Sequence, residues 1–385
     1  MPSKLHTWFH RKKSLLNPQP QTQNPREDPT TPPQLPAHRA ITLTPPASSP
    51  SPNSNTPIFN LLPPETRRRI LIEAFGERTV HIEHSFAHPR VLSHTNPEKT
   101  HCGISSVPNR SGGWRTRDTS RPKAWRWFSC VCHRDFEWCV RGPGKGTGVL
   151  TEPSEDTCLE GTAACCRWWS GGMPGKCYVG VLGWILACRQ AYVEGIGVLY
   201  ATNTFSIFNV DMMHTLPKLI RAEHREMISS VEMIWRLNPR SRGEGLDALS
   251  ALLRRVPETF PNLRNLYLYP AGIWNIEPSP DNEIVVEFGT DILELVDGMV
   301  RKFGPQLLVC DIVIPFRKFH AHWVDGIGKG YKYEHGGTTR LSGRIWRPLV
   351  RVQQDNEGDE SLQSGYWLRE GPDDVRYPFA HMVPP

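Results

Sequence analysis

The chain has 385 residues, 38% of them hydrophobic, and a formal net charge of +6, so it is long enough to bury a sizeable core and only mildly basic. Its best apolar run, Val179 to Leu186 with two glycines, falls well short of the ~18 residues that suggest a membrane span, and the basic N-terminal MPSKLHTWFHRKKSLL lacks the apolar segment of a secretory signal. A soluble intracellular protein, cytoplasmic or nuclear, is expected, with its ten cysteines as reduced thiols rather than a disulfide framework.

Residues 1–56 are rich in Pro, Ser, Thr, Gln and Asn with few large apolar groups, which predicts a disordered Pro-rich arm. Folding begins at IFNLLPPETRRRILIEAFGERTVHI. Pro64 suits a first helical turn, Glu65 complements the positive helix end, and Gly76 can close the helix. Leu61, Leu62, Ile70, Leu71, Ala74 and Phe75 form the expected buried side, and Val80–Ile82 starts a short strand.

From 83 to 178 no apolar period persists, and Gly, Pro, Arg, Trp and Cys are frequent, which predicts an irregular insertion. Periodicity returns with Leu182, Ile185, Leu186, Tyr192, Val193, Ile196, Leu199 and Tyr200 at helical spacing, then a strand at Thr204–Phe208. Helices near Met212–Arg221, Leu246–Val256 and Thr290–Lys302 alternate with strands at Ser230–Trp235, Leu263–Tyr269 and Gln306–Ile314. Such alternation predicts an α+β fold: leucine-rich-repeat-like β-α units, a partly parallel sheet and helices on one side, in a single folded domain over 57–323. Residues 324–385 lose periodicity and are expected to form a loosely structured tail.

The segments LLPPETRRRILIEAFGERTVHI and CRQAYVEGIGVLYATNTF, with MISSVEMIW, FPNLRNLYLY and ILELVDGMV after them, resemble a fungal domain family of unknown function with an F-box-like opening. Leu62, Pro63, Glu65 and Ile70 resemble the first F-box helix, and Leu186, Cys188, Arg189 and Tyr192 the later ones, with the insertion between the two sets. The resemblance implies F-box-like helices at the start and a protein partner, a Skp1-type adaptor; it brings no reaction. Pro63, Glu65, Arg189, Tyr192, Glu194, Asn203 and Phe205 are its structural candidates. A pair between Arg189 and Glu65, or another nearby acid, is expected to tie the first helix to the later one, because an unpaired charge on an apolar face is costly.

For a metal, Cys130, Cys132, His133 and Cys139 cluster, with Cys158, Cys165, Cys166 and Cys177 downstream. Thiolates and imidazole in sets of four suit Zn²⁺, and a segment without its own core gains most from one. The competing reading is partly buried free thiols. Cys188 and Cys310 read as small core residues. Arg110, Arg115, Arg117, Arg121, Lys123, Arg126 and Arg134 interleave with Trp114, Trp125, Trp127 and Trp138, a pattern that fits single-stranded nucleic acid or a solvated basic loop with packed indoles.

No GxSxG, HExxH or GxxxxGK[ST] occurs, and RGPGKGTGVL reads as a linker. His81, His84, His88, His94 and His101 read as surface or packing residues. No catalytic residue is assigned and no cofactor beyond zinc is suggested. The expected function is a non-enzymatic interaction or scaffold protein, F-box-like in its adaptor contact, with nucleic-acid binding as the alternative.

Overall fold

The computed structural model describes residues 31–33, 57–91, 104, 107–108, 114–134, 152–156, 158–160, 175–236, 242–271, 285–329, 331–335, 343–349 and 364–372. The arm expected over 1–56 lies almost wholly outside these residues. Two helices, α1 (Pro57–Leu61) and α2 (Pro64–Phe75), open the fold. Pro64 sits in the first turn of α2, where no N–H is required, with Glu65 beside it. Gly76 closes the helix by donating its N–H to the Ile72 carbonyl at 2.7 Å. Space demands glycine there: a Cβ would meet Thr202 Oγ1 at 2.6 Å and Ile72 Cα at 2.9 Å.

Strand β1 (Thr79–Ala87) runs well past the predicted Val80–Ile82. A small ribbon of β2 (Val107–Pro108) and β3 (Trp114–Arg115) follows, and β4 (Ala124–Val131) then pairs antiparallel with β1, Val80 facing Val131 and Ala87 facing Ala124. The insertion read as irregular over 83–178 therefore carries most of one sheet strand and all of another. Its alternation is masked because every other position holds His, Glu, Ser, Arg or Trp instead of an aliphatic residue.

The chain continues through α3 (Leu182–Ile185), α4 (Arg189–Thr202), β5 (Thr204–Ile207), α5 (Val210–Leu219), α6 (Ala222–Arg225) and β6 (Ser230–Arg236). After these come α7 (Arg242–Thr259), β7 (Asn265–Ala271), α8 (Val285–Phe303) and β8 (Val309–Pro315). The segment expected to be a loose tail instead continues α9 (Phe316–Gly328) and supplies β9 (Tyr333–His335), β10 (Gly343–Pro348) and β11 (Gly365–Gly371). Short strands split by intervening chain give no sustained period, yet Trp367, Leu368 and Arg369 align parallel with Asp311, Ile312 and Val313 of β8.

The result is an α+β fold on a mostly parallel, nine-stranded sheet in the order β4-β1-β5-β6-β7-β8-β11-β10-β9. From β1 through β11 of that order every neighbour pair is parallel, with antiparallel strands added at both edges. Each crossover steps the same way across the sheet, and right-handed connections that never reverse direction place all their helices on one face. The core shows that arrangement. Met212 and Leu216 of α5, Leu249, Leu252 and Leu253 of α7, Ile292, Leu293 and Val296 of α8 and Phe319 of α9 form one cluster with alternate residues of the strands.

Alternation then puts a second set of residues on the opposite face. His81, Ser206, Glu232, Tyr267 and Asp311 are consecutive register partners across five strands, a buried polar row on the face that receives no helix layer among the described residues. That row is what the insertion covers.

Asn203 fixes where α2 and α4 meet the sheet. Its amide donates to the carbonyls of Phe75 at 3.0 Å and Leu199 at 2.9 Å, while its Oδ1 accepts from the Arg78 N–H at 2.9 Å. Asn203→Ala leaves three buried backbone groups without this partner. A loss of about 2–4 kcal/mol in urea unfolding is expected, with Asn203→Asp also destabilised because it keeps the acceptor but loses both donations.

Candidate functional site

The two helical segments that flank the insertion in sequence meet in space. Leu71, Ile72 and Phe75 of α2 bury against Val181 and Val198, with Trp184, Ile185 and Leu199 packed around them. Gly195 permits the close approach of α3 to α4, since a Cβ would meet Trp184 Cδ1 at 2.6 Å and Ile185 Cγ2 at 2.9 Å. Phe59 of α1 lies 5.8 Å from the Trp184 ring, centroid to centroid.

A buried Arg67 organises this helix platform. It reaches Glu194 of α4 through Nη2 at 2.7 Å and Nε at 3.0 Å, and donates from Nη1 to the carbonyls of Phe59 and Leu62. Gln190 donates to the same Glu194 carboxylate at 3.0 Å. Burial alone would raise the Glu194 pKa, but the Arg67 and Gln190 hydrogen bonds outweigh it and hold the carboxyl below its ordinary value. The expected tie between the two helices thus exists with different partners: Arg189 and Glu65 are both exposed, and Arg67 with Glu194 makes the link. Arg67 lies four residues before Leu71 and so shares its inward face, whereas Glu65 does not.

Among the other structural candidates, the Pro63 carbonyl accepts from the Arg67 N–H at 3.0 Å, Tyr192 is half-buried, and Phe205 belongs to the main core. Cys188, read as a core residue, is instead the N-cap of α4, its sulfur accepting from the Ala191 N–H at 3.4 Å. Several residues expected to be buried face outward. Leu61 and Leu186 are 77% and 78% exposed, and Ile70, Leu182 and Val193 are exposed with them.

On the helix-free face the insertion closes over a second group. His81 Nε2, Cys132 Sγ, an Asp156 carboxylate oxygen and Cys158 Sγ all lie within 4.8 Å of one another, and all four residues are buried. β1 positions His81, the end of β4 positions Cys132 through its N–H on the Thr79 carbonyl at 2.8 Å, and the turn at 152–160 supplies the other two. Asp156 is oriented by both oxygens: Oδ1 accepts from the Cys158 N–H at 2.7 Å, while Oδ2 faces Cys132 Sγ at 2.9 Å and His81 Nε2 at 3.2 Å. Arg134 bridges from Asp156 Oδ2 at 3.1 Å to Glu232 of the polar row.

The electrostatics favour charge on Asp156, Cys132 and His81. Burial opposes ionisation of Asp156, but His81, Arg134 and Cys132 hold its carboxyl well below the usual range. Burial likewise opposes a charged Cys132, yet Cys158, His81 and Arg134 bring its thiol down; His81, against its own burial, is raised by Asp156 and Cys132.

Of the sequence-derived metal candidates, the structure brings Cys132 and, from the downstream cysteines, Cys158 into this group. Cys130, the register partner of His81, packs instead with Ile104 and Cys177 in a separate buried cluster. His133 is buried outside the four, and Cys139, Cys165 and Cys166 lie outside the described residues. His81 and Asp156 were not singled out as ligands. Reading the strand as ending at Ile82 hid the signal: His81, inside the apolar pair Val80 and Ile82, occupies an inward position of the opposite face. Of the histidines read as surface or packing residues, His81 and His84 are both buried in β1, with His84 stacked on Trp125 at 4.7 Å.

The basic residues of the insertion are largely turned to internal use. Glu83 accepts from Arg90 and Arg117, Arg126 donates to the Ala87 carbonyl at 3.3 Å, and Arg134 is buried as described. Arg121, Lys123 and Trp127 stay exposed, while Arg110 and Trp138 lie outside the described residues, as does the glycine-rich 142–148. No helix among the described residues is long and apolar enough to cross a membrane.

A family model described as a domain of unknown function, DUF7730, matches residues 119–242. That span includes Cys132, Arg134, Asp156, Cys158, α3, α4, Asn203 and Glu232, but not His81 or α2. No curated protein and no solved structure matches the chain.

Glu194→Gln keeps an acceptor for Arg67 but removes the charge. At pH 7 it is expected to lower stability by about 1 kcal/mol, a charged hydrogen bond discounted for the solvent that reaches it. Because the folded-state pKa of Glu194 is depressed, its contribution is complete above the ordinary glutamate value and is lost as pH falls through the folded one. Denaturation of both proteins across pH 7 to 3 should therefore show the gap between them closing at the acid end.

Proposed function

We propose that this chain is a non-catalytic protein-interaction module whose helix platform docks a Skp1-type adaptor, in a reducing cytoplasmic or nuclear setting. The observation that carries the proposal is the outward set of large apolar side chains, Leu61, Ile70, Leu182, Leu186 and Val193, on four helices that pack on one another. Large exposed aliphatic residues gathered on one element set mark a protein contact more often than they mark an enzyme cleft. Exposed Arg68 and Arg189 on the same helices suit an acidic partner. Helix-in-groove recognition supplies the physical mode: apolar anchors on adjacent helices enter a partner's groove, with charges at the rim steering approach. The F-box-like residues that suggested this contact come from both sides of the insertion, and α2 packed on α4 presents them together.

The basic insertion supports nucleic-acid binding less well, because Arg117, Arg126 and Arg134 are engaged with partners inside the chain. The acid, imidazole and thiol that the fold brings together, Asp156, His81 and Cys132, are buried rather than open to a substrate.

The test is calorimetric titration of the purified full chain with a purified Skp1-type adaptor. Binding at micromolar affinity or tighter is expected, with at least a tenfold loss in the Leu61→Glu/Leu186→Glu double variant and an unchanged thermal melt, since both side chains are already exposed. An adaptor that fails to bind the folded wild-type chain, or binds the double variant equally well, overturns the reading.

A further inference from the structure

The geometry points to a structural zinc site built by His81, Cys132, Asp156 and Cys158, which we propose fastens the insertion to the helix-free face of the sheet. The inference stands independently of any partner at the helix platform.

Zinc takes thiolate sulfur at about 2.3 Å and imidazole nitrogen or carboxylate oxygen at about 2.0–2.2 Å in tetrahedral array. A tetrahedron with those radii has a sulfur-to-sulfur edge of about 3.8 Å and a nitrogen-to-oxygen edge of about 3.3 Å. Cys132 Sγ to Cys158 Sγ is 3.9 Å, and His81 Nε2 to Asp156 Oδ2 is 3.2 Å. The Cys132 Sγ to Asp156 Oδ2 edge, 2.9 Å, is the one that must open, by roughly half an ångström.

A second, independent observation is the state of the His81 ring. The residue is fully buried, and although Nε2 lies close to Asp156, neither ring nitrogen makes a hydrogen bond of proper direction among the described residues. A buried imidazole in that condition is costly, and a cation bound at Nε2 supplies the missing partner. The surroundings are those of ligands held for a cation. The Arg134 N–H points at Cys132 Sγ at 3.5 Å, a backbone contact that favours thiolate, and the Cys158 N–H fixes the other oxygen of Asp156.

Charge selects the ion and its role. Two thiolates and a carboxylate bring three negative charges, which a divalent cation and the Arg134 guanidinium together neutralise. Soft sulfur with one imidazole in tetrahedral array favours zinc over magnesium or calcium. All four positions come from the chain and are buried, so no coordination place faces solvent for a substrate, and the site is structural. It joins three segments that are distant in sequence, and a segment with little aliphatic core of its own gains fold from such a bond.

The experiment is metal analysis by mass spectrometry of the full chain purified without chelator, together with cobalt substitution. One zinc per chain is expected, below a fifth of an equivalent in His81→Ala and Cys158→Ala, and unchanged in Cys310→Ala, a buried cysteine outside the group. Exchange with Co²⁺ in the wild type should give thiolate-to-cobalt charge transfer and the intense visible bands of tetrahedral coordination. The cobalt spectrum keeps the proposal testable if the ligand variants fail to fold. A folded wild-type chain that carries no metal and takes up no cobalt overturns it, as does a Cys132–Cys158 disulfide in protein isolated without oxygen.

Discussion

A parallel sheet whose crossovers always step in one direction receives its helices on one side only, and everything else in this molecule answers to that constraint. Four of the six parallel strands, β6, β7, β8 and β11, send Val231, Met233, Trp235, Leu266, Leu268, Ile312, Tyr366 and Leu368 into the helix layer, where burial of apolar surface is straightforward. The strand period of two then commits the intervening residues to the other face. In a sheet with helices on both faces these would be aliphatic too. Here they include His81, Ser206, Glu232, Tyr267 and Asp311, so whatever covers them must satisfy polar groups as well as exclude water.

The insertion and the last strands meet that need with arginine. Arg134 serves Glu232 and Asp156, Arg369 bridges Asp311 at 3.2 Å to Glu152 at 3.1 Å, and Arg90 with Arg117 converge on Glu83. A guanidinium suits this because its planar fork binds two carboxylates without losing its charge. Such buried pairs contribute little net stability over aliphatic packing, but breaking one leaves an uncompensated charge, so they fix register and seat the cover in one place. Aromatic area completes it: Tyr267, Tyr269, Ile234 and Val313 pack together, and Arg344 lies 4.3 Å from the centre of the Trp367 ring.

How much of this was legible in the sequence follows from the same asymmetry. The helix-side alternation reads plainly, and the strands at Ser230–Arg236, Asn265–Ala271 and Val309–Pro315 fall close to the segments predicted for them. The edge strand β4 and the interior strand β11 did not read, since β4 mixes Trp, Arg, Ser and Cys and β11 stands alone after a polar stretch. The metal ligands were hidden for a related reason. Cysteine spacing is informative when ligands sit on one hairpin, whereas these four come from a strand, the end of another and a separate turn, so only the fold brings His81 and Asp156 to Cys132. A signal was nonetheless present, an ionisable residue flanked by apolar ones in three of the strands: His81 in VHI, Glu232 in VEM, Asp311 in CDI. Read together, they announce a polar row on one face.

The start of β1 couples the two surfaces of the molecule. Arg78 gives its N–H to Asn203 and its carbonyl to the Thr204 N–H at 2.9 Å, which sets the helix platform against the sheet. The next carbonyl, of Thr79, accepts from Cys132, and His81 enters the buried group two residues later, between Val80 and Ile82 of the main core. Within residues 78–82, therefore, the chain serves the platform, the helix layer and the cover in turn. The insertion thus divides this helix set in sequence without dividing it in space: β4 returns to the strand that the chain left, and Arg67, Glu194 and Asn203 close the gap above it.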